Sequence, residues 1–337
     1  MARFMKSVLW SSINLKKTRI INTTGEDFSK PAVMIANHTS FLDILTMGML
    51  HPKTVFLVSD WVYNSPIFGK GVRFLGFYPV SKGLEGGVEQ LREKIEAGYS
   101  VMVFPEGTRS ADNLVKRFHK GAFYLAEHFG MDILPIVIHG GAEVFPKGDF
   151  FIRRYGITLK ILERISPENQ GFGQGYRERT KTISRYFKEE YEGLRKELEG
   201  PAYFRERVLE NYLYKEADVE KAVKAGMEEK ENRFFAIEEE LSPKAKILHI
   251  ADDYGEGDLL LVLRQPARKV DSWIRDVEKR EVARNNYMVK NRHLNYPDEL
   301  PACDAHEVLL ISCRHNLPQE WIKTFPRVID LTAYGSV

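Results

Sequence analysis

A histidine followed five residues later by an aspartate, in Asn37-His38-Thr39-Ser40-Phe41-Leu42-Asp43, has the makings of a device that strips a proton from an alcohol. Imidazole titrates near neutrality, and a carboxylate partner fixes its tautomer and stabilises the imidazolium that forms. A second block, Phe104-Pro105-Glu106-Gly107-Thr108-Arg109-Ser110, supplies an acid, a glycine-permitted turn and an arginine. Guanidinium grips a phosphate through two parallel hydrogen bonds, which lysine cannot do, so Glu106, Gly107, Thr108 and Arg109 suit a phosphorylated substrate. Lys116, Arg117, His119 and Lys120 follow, and Lys120 is the cation best placed to join that set.

These residues need elements that bring them together. Val33-Met34-Ile35-Ala36 reads as a short buried strand and Phe41 to Leu50 as an apolar helix, which puts His38 on the turn between them. Five apart on one helix, the two side chains would face different ways; across a turn they converge. Ser40 and Asp43 also spell a capping-box-like helix start, a purely structural use of the same residues. Ser100 to Phe104 alternates as a strand that Pro105 stops, leaving the second block on a polar loop at a strand's carboxyl end, where open α/β sheets place ligands. No serine or cysteine sits in a recognisable nucleophile elbow. Direct attack by a substrate hydroxyl is therefore favoured over a covalent enzyme intermediate.

With both blocks in view, the stretch from about Pro31 to Ile138 resembles the lysophosphatidic acid acyltransferase family, whose pattern is an N-H-x-x-x-x-D block, a middle block, an F-P-E-G-T-R-S block and a late V/I-P block, here Leu134-Pro135-Ile136-Val137. The resemblance implies a glycerolipid acyltransferase: His38 as base, Asp43 as its orienting partner, Glu106, Gly107 and Arg109 in acceptor binding, and Pro135 shaping the acyl-donor pocket. It implies transfer of a fatty acyl group from acyl carrier protein or coenzyme A to a lysophospholipid hydroxyl, giving phosphatidic acid where the acceptor is lysophosphatidic acid, with no cofactor and no metal. The middle block departs from the pattern. Ser59-Asp60 stands where a lysine is usual and Ser81-Lys82 where an arginine closes the block, although Pro66, Gly69 and Gly76 fit. The acceptor therefore stays open between lysophosphatidic acid and another lysolipid, such as a lyso amino-acid lipid. A non-catalytic lipid-binding protein would keep an apolar groove and lose His38 or Asp43.

A chain of 337 residues buries a large core and has room for more than one domain. Cys303 and Cys313 are too few for a disulfide framework or a zinc site, which suits a reducing cytoplasm. No run of eighteen apolar residues exists, so the expectation is a peripheral protein on the inner face of the membrane. Residues 1–20 offer the anchor: Phe4, Met5, Val8, Leu9 and Ile13 recur at helical spacing with Trp10, among Arg3, Lys6, Lys16, Lys17 and Arg19. That is the composition of an interfacial helix drawn to anionic lipid, or of a helix packed on its own domain. Trp61, Tyr63, Ile67, Phe68, Phe74 and Phe77 could extend the membrane-facing surface or be core. Residues 1–165 carry a net charge of +6 and residues 166–337 a net −4. The basic half holds the motifs, which fits phosphate-bearing lipids and acyl carriers; no basic and aromatic repeat points to nucleic acid.

The expected architecture is α/β: an acyltransferase domain over 1–165, a helical linker region over 166–243, and a small Rossmann-like tail over 244–337. Arg177 to Leu198 has apolar residues at helical intervals, Gly200-Pro201 stops it, and Tyr203 to about Leu241 continues as helix. From Ile247 to Asp258 the chain resembles the first strand and glycine-rich loop of class I methyltransferases, with Glu278 to Asn291 as a later helix. Yet His249 stands where an acid is expected, Ala251 and Asp253 replace glycines, and Ile274 occupies the ribose-binding carboxylate's place. Lys246 to Val337 is also too short for that whole domain. The tail reads as a degenerate relic without a cofactor.

Overall fold

The computed structural model describes residues 18–66, 69–74, 76–79, 88–110, 113–145, 153, 155–289, 293–313 and 317–333. Residues 1–17, Ile67, Phe68, Ser81 and Lys82 lie outside them, so the anchor helix and part of the middle block are not addressed. Where the expected helix runs into described residues it gives way to strand: β1 (Arg19–Ile21) pairs in parallel with β7 (Thr158–Ile161). Ile20 and Ile21 are β-branched, and such residues fit a pleated surface better than a helix end.

The first compact unit runs to Arg195. Its seven-stranded sheet has the order β1-β7-β6-β2-β5-β3-β4, with β2 at Ala32–Ala36, β3 at Thr54–Val58, β4 at Tyr78–Pro79, β5 at Ser100–Val103 and β6 at Asp132–His139. The five strands from β6 to β4 are mutually parallel, while β7 runs antiparallel to β6. Every residue of β2 and of β6 is buried, as continuous apolar runs demand when both faces of a strand are covered. Because β2, β3 and β5 are parallel, the segments leaving their carboxyl ends share one edge of the sheet. After β2 comes helix α1 (Leu42–Gly48), and helix α2 (Gly121–Phe129) precedes β6.

The second unit, Lys196 to Val337, carries a five-stranded, wholly parallel sheet of order β10-β9-β8-β11-β12. Its strands are β8 (Lys246–Ala251), β9 (Lys269–Ile274), β10 (Leu294–Asn295), β11 (Val308–Ile311) and β12 (Val328–Asp330). The order reverses between β8 and β11, as in doubly wound Rossmann-like folds.

The expected division at 165 and 243 differs from this arrangement. Helix α3 (Gly175–Leu198) buries Ile183, Phe187, Tyr191 and Leu194, and Phe187 meets Phe118 edge-on at 5.3 Å, so most of it is built into the first unit. Helices α4 (Arg205–Leu209) and α5 (Ala217–Ala236) contribute Val208, Val223, Met227 and Phe234 to the same core as Ile247, Leu259 and Val270. Residues 166–243 are thus shared between two cores. The helix expected over 278–291 is shorter, Val277–Arg284, because Asn286 turns inward to donate to the Tyr212 hydroxyl at 3.1 Å.

Candidate active site

His38 leaves β2 one residue after Asn37, whose side chain takes over the strand's pairing. The Asn37 amide donates to the Ile138 carbonyl and its oxygen accepts the Ile138 N–H, both at 2.8 Å. The backbone is thereby released to turn. His38 Nδ1 lies 3.0 Å from Asp43 Oδ2, with the histidine side chain 15% exposed and the aspartate wholly buried. The same oxygen accepts the N–H groups of Thr39 at 2.7 Å and Ser40 at 2.8 Å. The structural and chemical readings of this segment therefore coincide: Asp43 reaches back to cap its own helix start and, with the same atom, orients the imidazole. The ring of His38 stacks on Phe104, centroids 4.1 Å apart.

The second block folds as a turn. Gly107 N–H donates to the Phe104 carbonyl at 3.0 Å, and Gly107 sits at φ +69°, a conformation that costs glycine little. Glu106, expected in acceptor binding, has its carboxylate turned into the protein. It is 3% exposed, and its two oxygens accept the backbone N–H groups of His38 at 2.8 Å and Lys116 at 2.9 Å. Burial pushes its pKa up, against the pull of those two N–H groups. Ser110 N–H donates to the His38 carbonyl at 2.7 Å, so both peptide groups of His38 are held by the second block. The His119 N–H closes the loop on the Pro105 carbonyl at 2.7 Å. Thr108 and Lys120 are exposed and Arg109 half-buried on this loop, with Lys120 leading into α2.

The roles of Gly141, Glu143 and Asn113 were missed in the sequence. Gly141, just past β6, has no room for a side chain: a Cβ there would lie 2.6 Å from Asp43 Oδ1 and 2.9 Å from Thr39 Oγ1. Glu143 is buried and accepts the Asn113 amide, and the Asn113 carbonyl accepts the Tyr191 hydroxyl at 2.7 Å, which ties the loop after the second block to α3. The paired glycines Gly140-Gly141 after the late block were the only available hint. Pro135 is buried inside β6 opposite Ile35, where the pairing with β7 is interrupted between Ile161 and the Ile133–Ile165 bridge. A residue without an N–H fits such a gap.

In the second unit, the loop after β8 is filled by the protein itself. Asp253 is buried, accepts the Gly255 N–H at 2.9 Å and faces Lys230 Nζ at 3.2 Å; Lys230 also pairs with Glu256. Burial, then Asp253, push the Glu256 pKa up to about 7. A Cβ at Gly255 would lie 2.5 Å from the Tyr296 hydroxyl, and one at Gly257 would lie 2.7 Å from the Phe234 ring. These glycines make room for side chains of this chain. His249 is fully buried between Asp258 Oδ1 and Ser312 Oγ, each at 2.5 Å, and Ile274 is fully buried as well.

Residues 13–139 match the family model described as Acyltransferase. The chain is 32% identical over 164 residues to a chloroplastic 1-acyl-sn-glycerol-3-phosphate acyltransferase of Arabidopsis thaliana, covering 46% of each. It is 34% identical over 164 residues to a 1-acyl-sn-glycerol-3-phosphate acyltransferase of Saccharomyces cerevisiae, covering 44% of this chain and 52% of that one. The chain thus spans about half the length of the curated relatives it matches. A crystal structure of the 1-acyl-sn-glycerophosphate acyltransferase of Thermotoga maritima is 24% identical and covers 58% of this chain and 78% of that one, at a TM-score of 0.48. Over the motif-bearing part of the chain, the resemblance read from the sequence is borne out.

Proposed function

Its amino-terminal domain being of the glycerolipid acyltransferase family, we propose that the protein moves a fatty acyl group from an acyl-carrier-protein or coenzyme A thioester to the free hydroxyl of lysophosphatidic acid, forming phosphatidic acid. The observation that carries this reading is the His38–Asp43 pair at 3.0 Å, fastened by Glu106 and Ser110 to the loop that bears Arg109. With Nδ1 engaged by Asp43, Nε2 is the nitrogen left to take the acceptor's hydroxyl proton. The alkoxide attacks the thioester carbonyl, the C–O bond forms, and the tetrahedral intermediate collapses with loss of thiolate. The proton held on His38 passes to that sulfur. Arg109, with Thr108 and Lys120 on the same loop, is the group for the acceptor's phosphate.

Nothing in this sequence of steps calls for a cofactor beyond the donor thioester, and the second unit enters it as a structural companion. Among the described residues, no helix is long and apolar enough to cross a membrane; a peripheral position on the cytoplasmic face of an anionic membrane is part of the proposal. A second acceptor class has one feature in its favour. Asp60, in place of the cation usual in the middle block, opens the short helix Asp60–Tyr63 at the carboxyl end of β3, and an anion there suits a less negatively charged headgroup. The test offers the purified protein a panel of lysolipids with labelled acyl-carrier-protein and coenzyme A thioesters and identifies products by mass. Phosphatidic acid as the main product supports the first reading, acylation confined to an uncharged or zwitterionic lysolipid supports the second, and no acyl transfer to any lysolipid refutes both.

A further inference from the structure

The large apolar side chains that the first unit exposes are Ile20, Phe41, Trp61 and Phe74, among the described residues. Three of the four gather on one side. Phe41 follows the carboxyl end of β2 by five residues, and Trp61 follows the end of β3 by three. Phe74 ends the short helix Gly69–Phe74, which packs against the helix of Trp61. Those strand ends form the edge that also carries His38 and Glu106.

The pair of short helices is built, not loose. Arg73 donates to the Tyr63 carbonyl at 2.7 Å and lies over the Tyr63 ring at 5.7 Å, while Phe77 turns inward to stack on Phe56 at 4.8 Å. Yet Trp61 remains 69% and Phe74 89% exposed. Nothing lies within 4 Å of where a Cβ on Gly71 would be, so this face of the helix is open, while Gly69 and Val72 on the same helix are packed inward. Its charged residues, Lys70 and Arg73, are exposed cations, and it carries no carboxylate.

Phe74 is flanked by the cations Lys70 and Arg73, and Trp61 by the carboxylate of Asp60; exposed aromatic rings with cations beside them match the headgroup zone of an anionic bilayer, where an indole sits with its apolar body toward the acyl chains. We infer that Trp61 and Phe74, with Lys70 beside them, form the surface by which this domain rests on an anionic lipid bilayer, so that a membrane-held acceptor reaches His38 along the same edge of the sheet. The inference rests on the acyl-transfer reading only for the lipid that enters; the docking surface is argued from exposure and charge.

The experiment uses the full chain and vesicles of phosphatidylcholine with or without phosphatidylglycerol. Trp61→Ser/Phe74→Ser is expected to weaken partitioning onto mixed vesicles by about tenfold or more, and Lys70→Glu to weaken it only where phosphatidylglycerol is present. Brominated phosphatidylcholine should quench a component of the tryptophan fluorescence that Trp61→Phe removes. Unchanged partitioning of the double variant, or quenching that survives in Trp61→Phe undiminished, overturns the proposal. So does concentration-dependent self-association in lipid-free buffer that the double variant abolishes, which would make a second copy of the chain the occupant. None of these measurements needs turnover. An inactive protein that docks through Trp61 refutes acyl transfer alone, and an active one that docks equally well without Trp61 and Phe74 refutes this surface alone.

Discussion

The carboxylate of Glu106 accepts the backbone N–H of His38 at 2.8 Å, across 68 residues of sequence. With Lys116 N–H on its other oxygen, Glu106 joins the His38 turn to the loop that bears Arg109. In this chain each motif holds the other's geometry.

Replacing Glu106 by glutamine should therefore damage catalysis through position. Glutamine brings one acceptor oxygen and one amide donor, so either His38 or Lys116 loses its partner. We expect kcat to fall by about one to two powers of ten, since a misplacement of about 1 Å has an effect of that size. Amide exchange at His38 or Lys116 should quicken in parallel. Normal exchange at both with low activity would place Glu106 at the substrate instead.

Asp43→Asn can keep the turn and the Nδ1 contact through its one oxygen, but it withdraws the negative charge that stabilises the imidazolium. Acyl transfer should drop by about two to four powers of ten, comparable with His38→Ala. Single-turnover rates with saturating donor and acceptor measure the effect, and a folded Asp43→Asn protein within a few fold of the parent would remove the pair from the mechanism.

Gly141→Ala places a methyl where Asp43 Oδ1 lies 2.6 Å away. Overpacking of this kind costs about 1–3 kcal/mol, and here the group displaced is the orienting carboxylate. The expected signature is a kcat loss of about tenfold with KM for both substrates little changed. A loss of thermal stability with kcat intact would show that Gly141 matters to packing alone.

Arg109→Lys keeps the charge and gives up the bidentate grip. The acceptor KM should rise severalfold while the donor KM holds. If steady-state constants show the reverse, the arginine serves the acyl carrier.

The Lys230–Asp253–Glu256 cluster makes the second unit sensitive to pH. The Glu256 carboxyl titrates near 7 when folded against an ordinary value of 4.5. The folded state thus holds a proton that the unfolded state has lost, and this contribution to stability declines as pH rises through that window. Glu256→Gln should be more stable than the parent at pH 8 than at pH 4.5, by up to about 3 kcal/mol. Urea unfolding of parent and variant at the two pH values tests the sign, and a difference that does not change with pH would dismiss Glu256 as the titrating group.

What the sequence determined by itself was local. The apolar run before Asn37, the glycine and proline around Glu106, and the five-residue spacing of His38 and Asp43 fix strand, turn and helix through backbone stereochemistry between near neighbours, and the His38–Asp43 pair lies within a single turn. Only the tertiary structure decided that Glu106 accepts the His38 N–H, that Gly141 makes room for Asp43, that α3 belongs to one core and α5 to another, and that Trp61 is exposed while Phe77 is buried. An amphipathic helix or an aromatic run states that a face must be covered and leaves the partner unnamed. Which surface covers it depends on contacts between residues far apart in the chain, and those exist only once the strands have taken their order.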